Sequence, residues 1–272
     1  MGVLNVTPDS FSDGGQLPTL KAVVDRARTL LDEGADVLDL GGESTRPGAE
    51  PVSAKDELAR VLPALKALRK SFPDTPISID TYKPEVAKAA VGAGADIVND
   101  IWGCAHGFSK KQRSAAKLPP SGMAETVAKL RCPVILMHNR PEPKYADFWP
   151  DVLADLQMSI ALARNAGVKE NQIWLDPGFG FAKDAAQNLE VLKNLSRIVE
   201  RGFPVLLGTS RKSTIGRVLG DAPAGERLEG TAATLVWGIQ QGCAMVRVHE
   251  VAPLRKFIRM ADAIKQGDNW KP

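Results

Sequence analysis

Polar and charged residues recur where the chain leaves short apolar runs. In chain order they are Asn5, Asp39, Asp80, Asn99 with Asp100, His138, Asp176, the group Ser210-Arg211-Lys212-Ser213, and Arg247 with His249. A carboxylate or amide beside apolar sequence costs free energy unless a partner or ligand satisfies it. Taken singly, each is equally well read as a hydrogen-bonding anchor. As a set on one rim they are harder to dismiss, and among them Lys212 could serve as a compact positive charge or hydrogen-bond donor. The stretch Thr209–Ser213 suggests phosphate, although the spacing GxxxxGK[ST] is missing. For Arg211 and Lys212 the competing reading is a solvated basic start to a helix. No Ser/His/Asp or Cys/His arrangement points to a covalent nucleophile.

The elements that must position these residues are legible from hydrophobic patterning. Eight apolar runs, Gly2–Val6, Val37–Gly41, Pro76–Asp80, Ile97–Ile101, Pro133–His138, Ile173–Asp176, Pro204–Gly208 and Met245–His249, are each followed by a polar loop and helical spacing. Runs this apolar suit strands of a parallel sheet covered by helices. The segment Leu20–Glu33 aligns Val23, Val24, Ala27, Leu30 and Leu31 on one stripe, and Leu58, Val61, Leu62, Leu65 and Leu68 form another. Gly34, Gly94 and Gly242 stand where a helix stops and a strand begins. Eight β/α units predict an α/β chain folded as one (β/α)8 barrel, a TIM barrel, over residues 1–272. An open doubly wound sheet is the alternative, but its GxGxxG fingerprint is missing and Gly178-Phe179-Gly180 is only GxG. A barrel places its site at the C-terminal ends of the strands, where the polar residues fall. The loops Thr7–Gly15 and Gly41–Gly48 are longer than ordinary βα turns and suit closure over a ligand.

Composition excludes several classes of function. With 35 Lys+Arg against 32 Asp+Glu the formal charge is +3 and dispersed, which disfavours nucleic acid as a partner. No apolar run reaches the ~20 residues that span a bilayer, and no signal peptide is evident, so a soluble cytoplasmic protein is expected. Cys104, Cys132 and Cys243 read as reduced structural thiols.

The motifs Asn5-Val-Thr-Pro-Asp-Ser-Phe-Ser-Asp-Gly-Gly15, Gly41-Gly-Glu-Ser-Thr-Arg-Pro-Gly48, Ile79-Asp-Thr81, Val98-Asn-Asp100, Leu175-Asp-Pro-Gly-Phe-Gly-Phe181, Gly208-Thr-Ser-Arg-Lys-Ser213 and Val246-Arg-Val-His249 together resemble the dihydropteroate synthase family, colinearly over nearly the whole chain. The resemblance implies condensation of 6-hydroxymethyl-7,8-dihydropterin pyrophosphate with p-aminobenzoate, with Mg2+, and inhibition by sulfonamides. It implies that Asp80, Asn99, Met137, Asp176, Lys212 and Arg247 bind the pterin. Pyrophosphate falls to Asn5, Arg247 and His249, with Asn5 as the metal ligand. p-Aminobenzoate falls to Phe11, Ser12, Thr45, Pro47, Lys212 and Ser213. Asp80, Lys212, Asp13 and Arg46 are the implied catalytic residues, the last two on the closing loops. The family is commonly a homodimer. The rivals are a pterin barrel that passes a methyl group from methyltetrahydrofolate to a corrinoid protein, and a non-catalytic pterin binder. His138 matches no ligand role and reads as a satisfied core residue, and His106 as a loop residue. The chain opens on its first strand, where family members generally carry a preceding segment. The stretch Cys104–Gly122 is longer than the family pattern and reads as a surface insertion or a change to the rim.

Overall fold

Short strands alternate with helices throughout the computed structural model, which describes residues 1–7, 19–44 and 49–271. The strands are β1 (Gly2–Asn5), β2 (Leu38–Gly41), β3 (Ile77–Asp80), β4 (Ile97–Asp100), β5 (Val134–Met137), β6 (Ile173–Asp176), β7 (Leu206–Leu207) and β8 (Met245–Val246). Strands β1 to β6 pair parallel in sequence order, and β7 pairs with β8. Single bridges from Leu175 to Val205 and from Gly2 to Val248 join the two ladders at both seams. The Val3 N–H donates to the Val248 carbonyl at 2.9 Å, and the Val248 N–H to the Met1 carbonyl at 3.0 Å. The ring is therefore a (β/α)8 barrel, and the open-sheet alternative falls.

The helices are α1 (Leu20–Asp32), α2 (Ala54–Ser71), α3 (Pro84–Gly92), α4 (Lys110–Arg113), α5 (Gly122–Leu130), α6 (Phe148–Ala166), α7 (Ala185–Lys193), α8 (Ser196–Val199), α9 (Ser213–Val218), α10 (Leu228–Gln240) and α11 (Val251–Gln266). Their starts follow from local chemistry: the Thr19 and Ser53 side chains accept from the backbone N–H groups of Ala22 and Asp56, capping α1 and α2. Gly34 ends the first helix with φ 99°, and the Ala35 N–H returns to the Leu30 carbonyl.

Alternation along the strands sorts side chains into two compartments. Leu38, Leu40, Ile77, Ile79, Val134, Leu136, Ile173 and Leu175 pack outward against the helices in the main core. A second, separate cluster of Met1, Val37, Ile135 and Leu206, with Ile97, Trp174 and Met245 against it, fills the barrel. Two residues beyond the members of that plug stand Asp39, Asn99, Met137, Asp176 and Arg247. A period of two puts them on the same inward face, one layer nearer the C-terminal rim. The apolar plug is the floor of the site.

Candidate active site

The register draws the rim together. Asn5 is level with Gly41, Gly41 with Asp80, Asp80 with Asn99, and Met137 with Asp176. A Cβ at Gly41 would lie 3.0 Å from Asn5 Oδ1 and 3.7 Å from the Asp80 Cβ, so glycine there lets those two side chains share the space.

Arg247 crosses the mouth of the barrel. Its Nε donates to Asp39 Oδ2 at 2.6 Å and its Nη2 to Asp80 Oδ2 at 2.9 Å, while Asn99 Nδ2 lies 3.3 Å from Asp39 Oδ2. Asp39 is wholly buried, and its pairing with Arg247 fixes the guanidinium that bridges to Asp80. Burial pushes the Asp80 carboxyl up from its usual range, and Arg247 opposes that shift. Asp80 Oδ1 is buried with no hydrogen-bond partner among the described residues. A buried acceptor left unmade costs about 1–3 kcal/mol, so this oxygen is poised to receive a donor from a ligand.

A second group forms around β6. Asp176 Oδ1 accepts the Gly178 N–H at 2.7 Å. Burial raises the Asp176 carboxyl to about 6, against the Gly178 N–H and the positive charges of Lys212, Lys183 and Arg247. Lys212, in the loop before α9, places Nζ 4.1 Å from the centre of the Phe181 ring. Burial, with Arg247 beside it, lowers the Lys212 amine to about 8, while Asp176 and Asp80 act the other way. Lys212 therefore belongs to the pocket, and the solvated reading holds only for Arg211, which is exposed and paired with Glu250. Met137 is buried beside Asp176 on the inward face.

His249 lies at the rim after β8, where its Nδ1 is 2.9 Å from Ser210 Oγ and its backbone N–H donates to the same hydroxyl at 3.2 Å. Ser213 opens α9 and is exposed. Phe11, Ser12, Asp13, Thr45, Arg46 and Pro47 lie outside the described residues. Among the described residues no three His, Cys, Asp or Glu converge on a metal-sized space. Asn5 supplies an amide oxygen, a hard donor of the kind Mg2+ accepts when phosphate and water oxygens complete its shell.

Three contributors were missed or only half seen in the sequence. Asp39 stood among the strand ends, but its pairing with Arg247 joins residues 208 apart in the chain. Lys183 carried no signal beyond its place just after Gly178-Phe179-Gly180-Phe181, yet its Nζ is 2.7 Å from His138 Nδ1. Arg113, from the long 104–122 stretch, donates to the Asn139 carbonyl after β5 and to the Ala105 carbonyl of its own stretch, both at 3.2 Å, and so holds that stretch against the rim at β5. His138 is buried with both ring nitrogens engaged, by Lys183 and by Asp155, as a core residue should be. The three cysteines are free and buried.

Comparison with known proteins gives the family. The family described as "Pterin binding enzyme" matches residues 1–249. The dihydropteroate synthase of Bacillus subtilis (strain 168) is 50% identical over 264 residues, spanning 97% of this chain and 87% of that protein. That of Synechocystis sp. (strain PCC 6803) is 44% identical over 271 residues, spanning 97% and 89%. Among solved structures, a Clostridium difficile dihydropteroate synthase in the presence of pteroic acid superposes with a TM-score of 0.87 at 46% identity, covering 97% of this chain and 95% of that one. The Xanthomonas albilineans enzyme with 4-aminobenzoic acid gives 0.86 at 41%, covering 97% and 92%. A Yersinia pestis dihydropteroate synthase in complex with a sulfonamide drug gives 0.84 at 37%, covering 97% and 93%. The chain belongs to the pterin-binding enzyme family, among its dihydropteroate synthases.

Proposed function

We propose that the rim residues of this chain carry out the condensation of 6-hydroxymethyl-7,8-dihydropterin pyrophosphate with p-aminobenzoate, giving 7,8-dihydropteroate and pyrophosphate. The observation that carries the assignment is the inward cluster of Asp80, Asn99, Asp176, Lys212 and Arg247, with Asp80 Oδ1 buried and unsatisfied. A pterin presents a 2-amino group and an N3–H as adjacent donors. Asp176, with one oxygen steadied by Gly178, accepts them. Asn99 and Lys212 take the remaining ring positions, Met137 packs on the ring, and Arg247 lies along it.

The reaction breaks the bond from the pterin methylene to the diphosphate oxygen and forms a bond from that carbon to the aryl amine, which sheds one proton. As the diphosphate departs, positive charge spreads into the pterin. The fixed Asp80 carboxylate stabilises that charge, an effect of order 3 kcal/mol for a well-placed group. Arg247 and His249 bind the departing anion, and Asn5 would hold Mg2+. When bound, the ion supplies charge neutralisation of the leaving group. The neutral amine is already nucleophilic, so the site works without a strong base. Lys212 and Ser213, with Phe11, Ser12, Thr45 and Pro47, receive p-aminobenzoate, and Asp13 and Arg46 complete the closed site. Sulfonamides compete there.

Among the described residues no helix is long and apolar enough to cross a membrane. The three free thiols support a cytoplasmic location. An exposed apolar face on α10 and α11 supports a homodimer.

The test is release of pyrophosphate by the purified protein given both substrates and Mg2+. Release that depends on both substrates is expected. Silence, with both substrates shown to bind, would overturn the assignment.

A further inference from the structure

Lys183 sits behind the pterin-binding pair and takes no part in the chemistry above. Its Nζ is 3.1 Å from the Gly178 carbonyl, 3.2 Å from the Phe181 carbonyl and 2.7 Å from His138 Nδ1. The direction of each bond follows from donor inventory. The carbonyls only accept. His138 Nε2 lies 3.1 Å from Asp155 Oδ2, which is also held by Arg140, so Nε2 carries the proton and Nδ1 a lone pair. Lys183 therefore gives all three of its N–H groups, as an ammonium. Burial, reinforced by Lys183, holds His138 neutral, down to about 3.

The loop that this ammonium closes, residues 178–183, is also the loop that touches the pterin residues. Its Gly178 N–H holds Asp176, and its Phe181 ring underlies Lys212 Nζ. A Cβ on Gly180 would come within 2.9 Å of the Lys212 Cδ. At Gly178, φ is +66° and a Cβ would fall 1.9 Å from the His138 carbonyl oxygen, so the loop lies flat on the end of β5.

We propose that Lys183 is a positioning residue for the pterin, its ammonium pinning the 178–183 loop to His138 and thereby setting Asp176 and Lys212. The proposal rests on the assignment of the pterin to those two residues. The charge has a second effect. Asp176 faces Lys183 on its own loop, Lys212 from the loop before α9 and Arg247 from the end of β8, and each favours its ionised form. Lys183 in turn faces Asp176 and Asp155, which favour its charge, and Lys212 and Arg140, which oppose it. Burial is the largest influence, lowering it to about 7. In the acid range the lysine is charged, so removing it must raise the Asp176 carboxyl.

The experiment is initial-rate kinetics of full-length Lys183→Met with both substrates and Mg2+, from about pH 5 to about pH 9. Expected is a rise of about tenfold in KM for the pterin pyrophosphate, equivalent to about one pKa unit of lost interaction, with a smaller fall in saturated turnover. KM for p-aminobenzoate stays put, and the acid limb of kcat/KM for the pterin substrate moves to higher pH. An unmoved limb with unchanged KM overturns the proposal, as does a loss of turnover with both KM values unchanged, which marks only less folded enzyme. Asp155→Asn removes a charge that favours the ammonium and weakens the acceptor that orients His138, and serves where Lys183→Met does not fold. It should raise the same KM by a smaller factor, and no rise overturns the proposal. Asp176→Asn separates the two readings: if it leaves pterin KM unaltered, the site assignment itself fails, whereas a large effect there beside a silent Lys183→Met refutes only the role of Lys183.

Discussion

At the scale of single residues the site is a set of buried charges whose protonation is set by neighbours from other strands. Asp176 is raised to about 6 by burial and Lys212 lowered to about 8 by burial and Arg247. The pterin needs the carboxylate ionised to accept its two donors, and the anionic substrate favours the ammonium. The sign follows directly: below about pH 6 Asp176 gains a proton, and above about pH 8 Lys212 loses one. Measured on free enzyme as kcat/KM for the pterin pyrophosphate, the profile should be a bell: protonation of Asp176 and of Asp80, whose carboxyl burial also raises, sets the acid limb, and loss of the Lys212 proton sets the alkaline limb. A profile flat from about pH 5 to about pH 9 would remove both groups from binding. Asp80 makes a separate prediction. Asp80→Asn keeps the shape but loses the charge, and an electrostatic role of order 3 kcal/mol predicts a fall in kcat of about a hundredfold or more with the fold intact by circular dichroism. Near-normal turnover would take Asp80 out of the reaction. The identities of Asp80, Asp176 and Arg247 were legible because polar residues at the ends of apolar runs stand out in one dimension. Their pairings were not. The Asp39–Arg247 contact joins β2 to the end of β8, and only barrel closure brings those strands within reach.

At the scale of elements, the period-two alternation of the strands decides which residues face the ligand. Trp174 and Asp176 share an inward face, as do Met245 and Arg247, and this parity is readable from sequence once the runs are taken as strands. Loop conformation is less readable. Gly178-Phe179-Gly180 looked like weak evidence for anything, since a GxG pattern fits many turns. The structure gives the reason for its first glycine: φ is +66° and the His138 carbonyl occupies the place of a Cβ. Gly178→Ala must therefore lift the loop from β5, loosening the N–H that holds Asp176 and the ring beneath Lys212. The expected outcome is a rise of at least tenfold in KM for the pterin substrate together with a lower melting temperature, since such strain costs of order 1–3 kcal/mol. Unchanged binding by calorimetry would show that Asp176 is held without this loop. The 104–122 stretch was equally ambiguous in sequence. Arg113 ties it to the Asn139 carbonyl after β5 and folds it onto its own Ala105 carbonyl, contacts whose acceptors are backbone atoms and so leave no trace in side-chain pattern.

At the scale of the whole molecule, closing the ring sends the polar residues to one rim and leaves the helices to face solvent or a partner. Helix α11 buries Val251, Leu254 and Ala261 against the barrel and α10. Its other face exposes Phe257 at 44%, Met260 at 61% and Ile264 at 59%, and the neighbouring α10 exposes Trp237 at 49%. Residues 257, 260 and 264 fall three and four apart, hence on one stripe. A row of large apolar side chains left in water is the kind of surface that oligomers cover. A two-fold axis would set each stripe against its own copy, giving a self-complementary contact remote from the substrate rim. The stripe itself is visible in sequence, but not that it faces outward, because α11 is amphipathic with apolar residues on more than one face. The double variant Met260→Glu with Ile264→Lys places charges in the middle of that contact, where unpaired burial costs several kcal/mol. Sedimentation of the unaltered protein at micromolar concentration should give a dimer and the variant a monomer, with pyrophosphate release per chain retained because no strand end is touched. An unaltered protein that sediments as a monomer would refute the dimer, and a variant that stays dimeric would move the interface elsewhere.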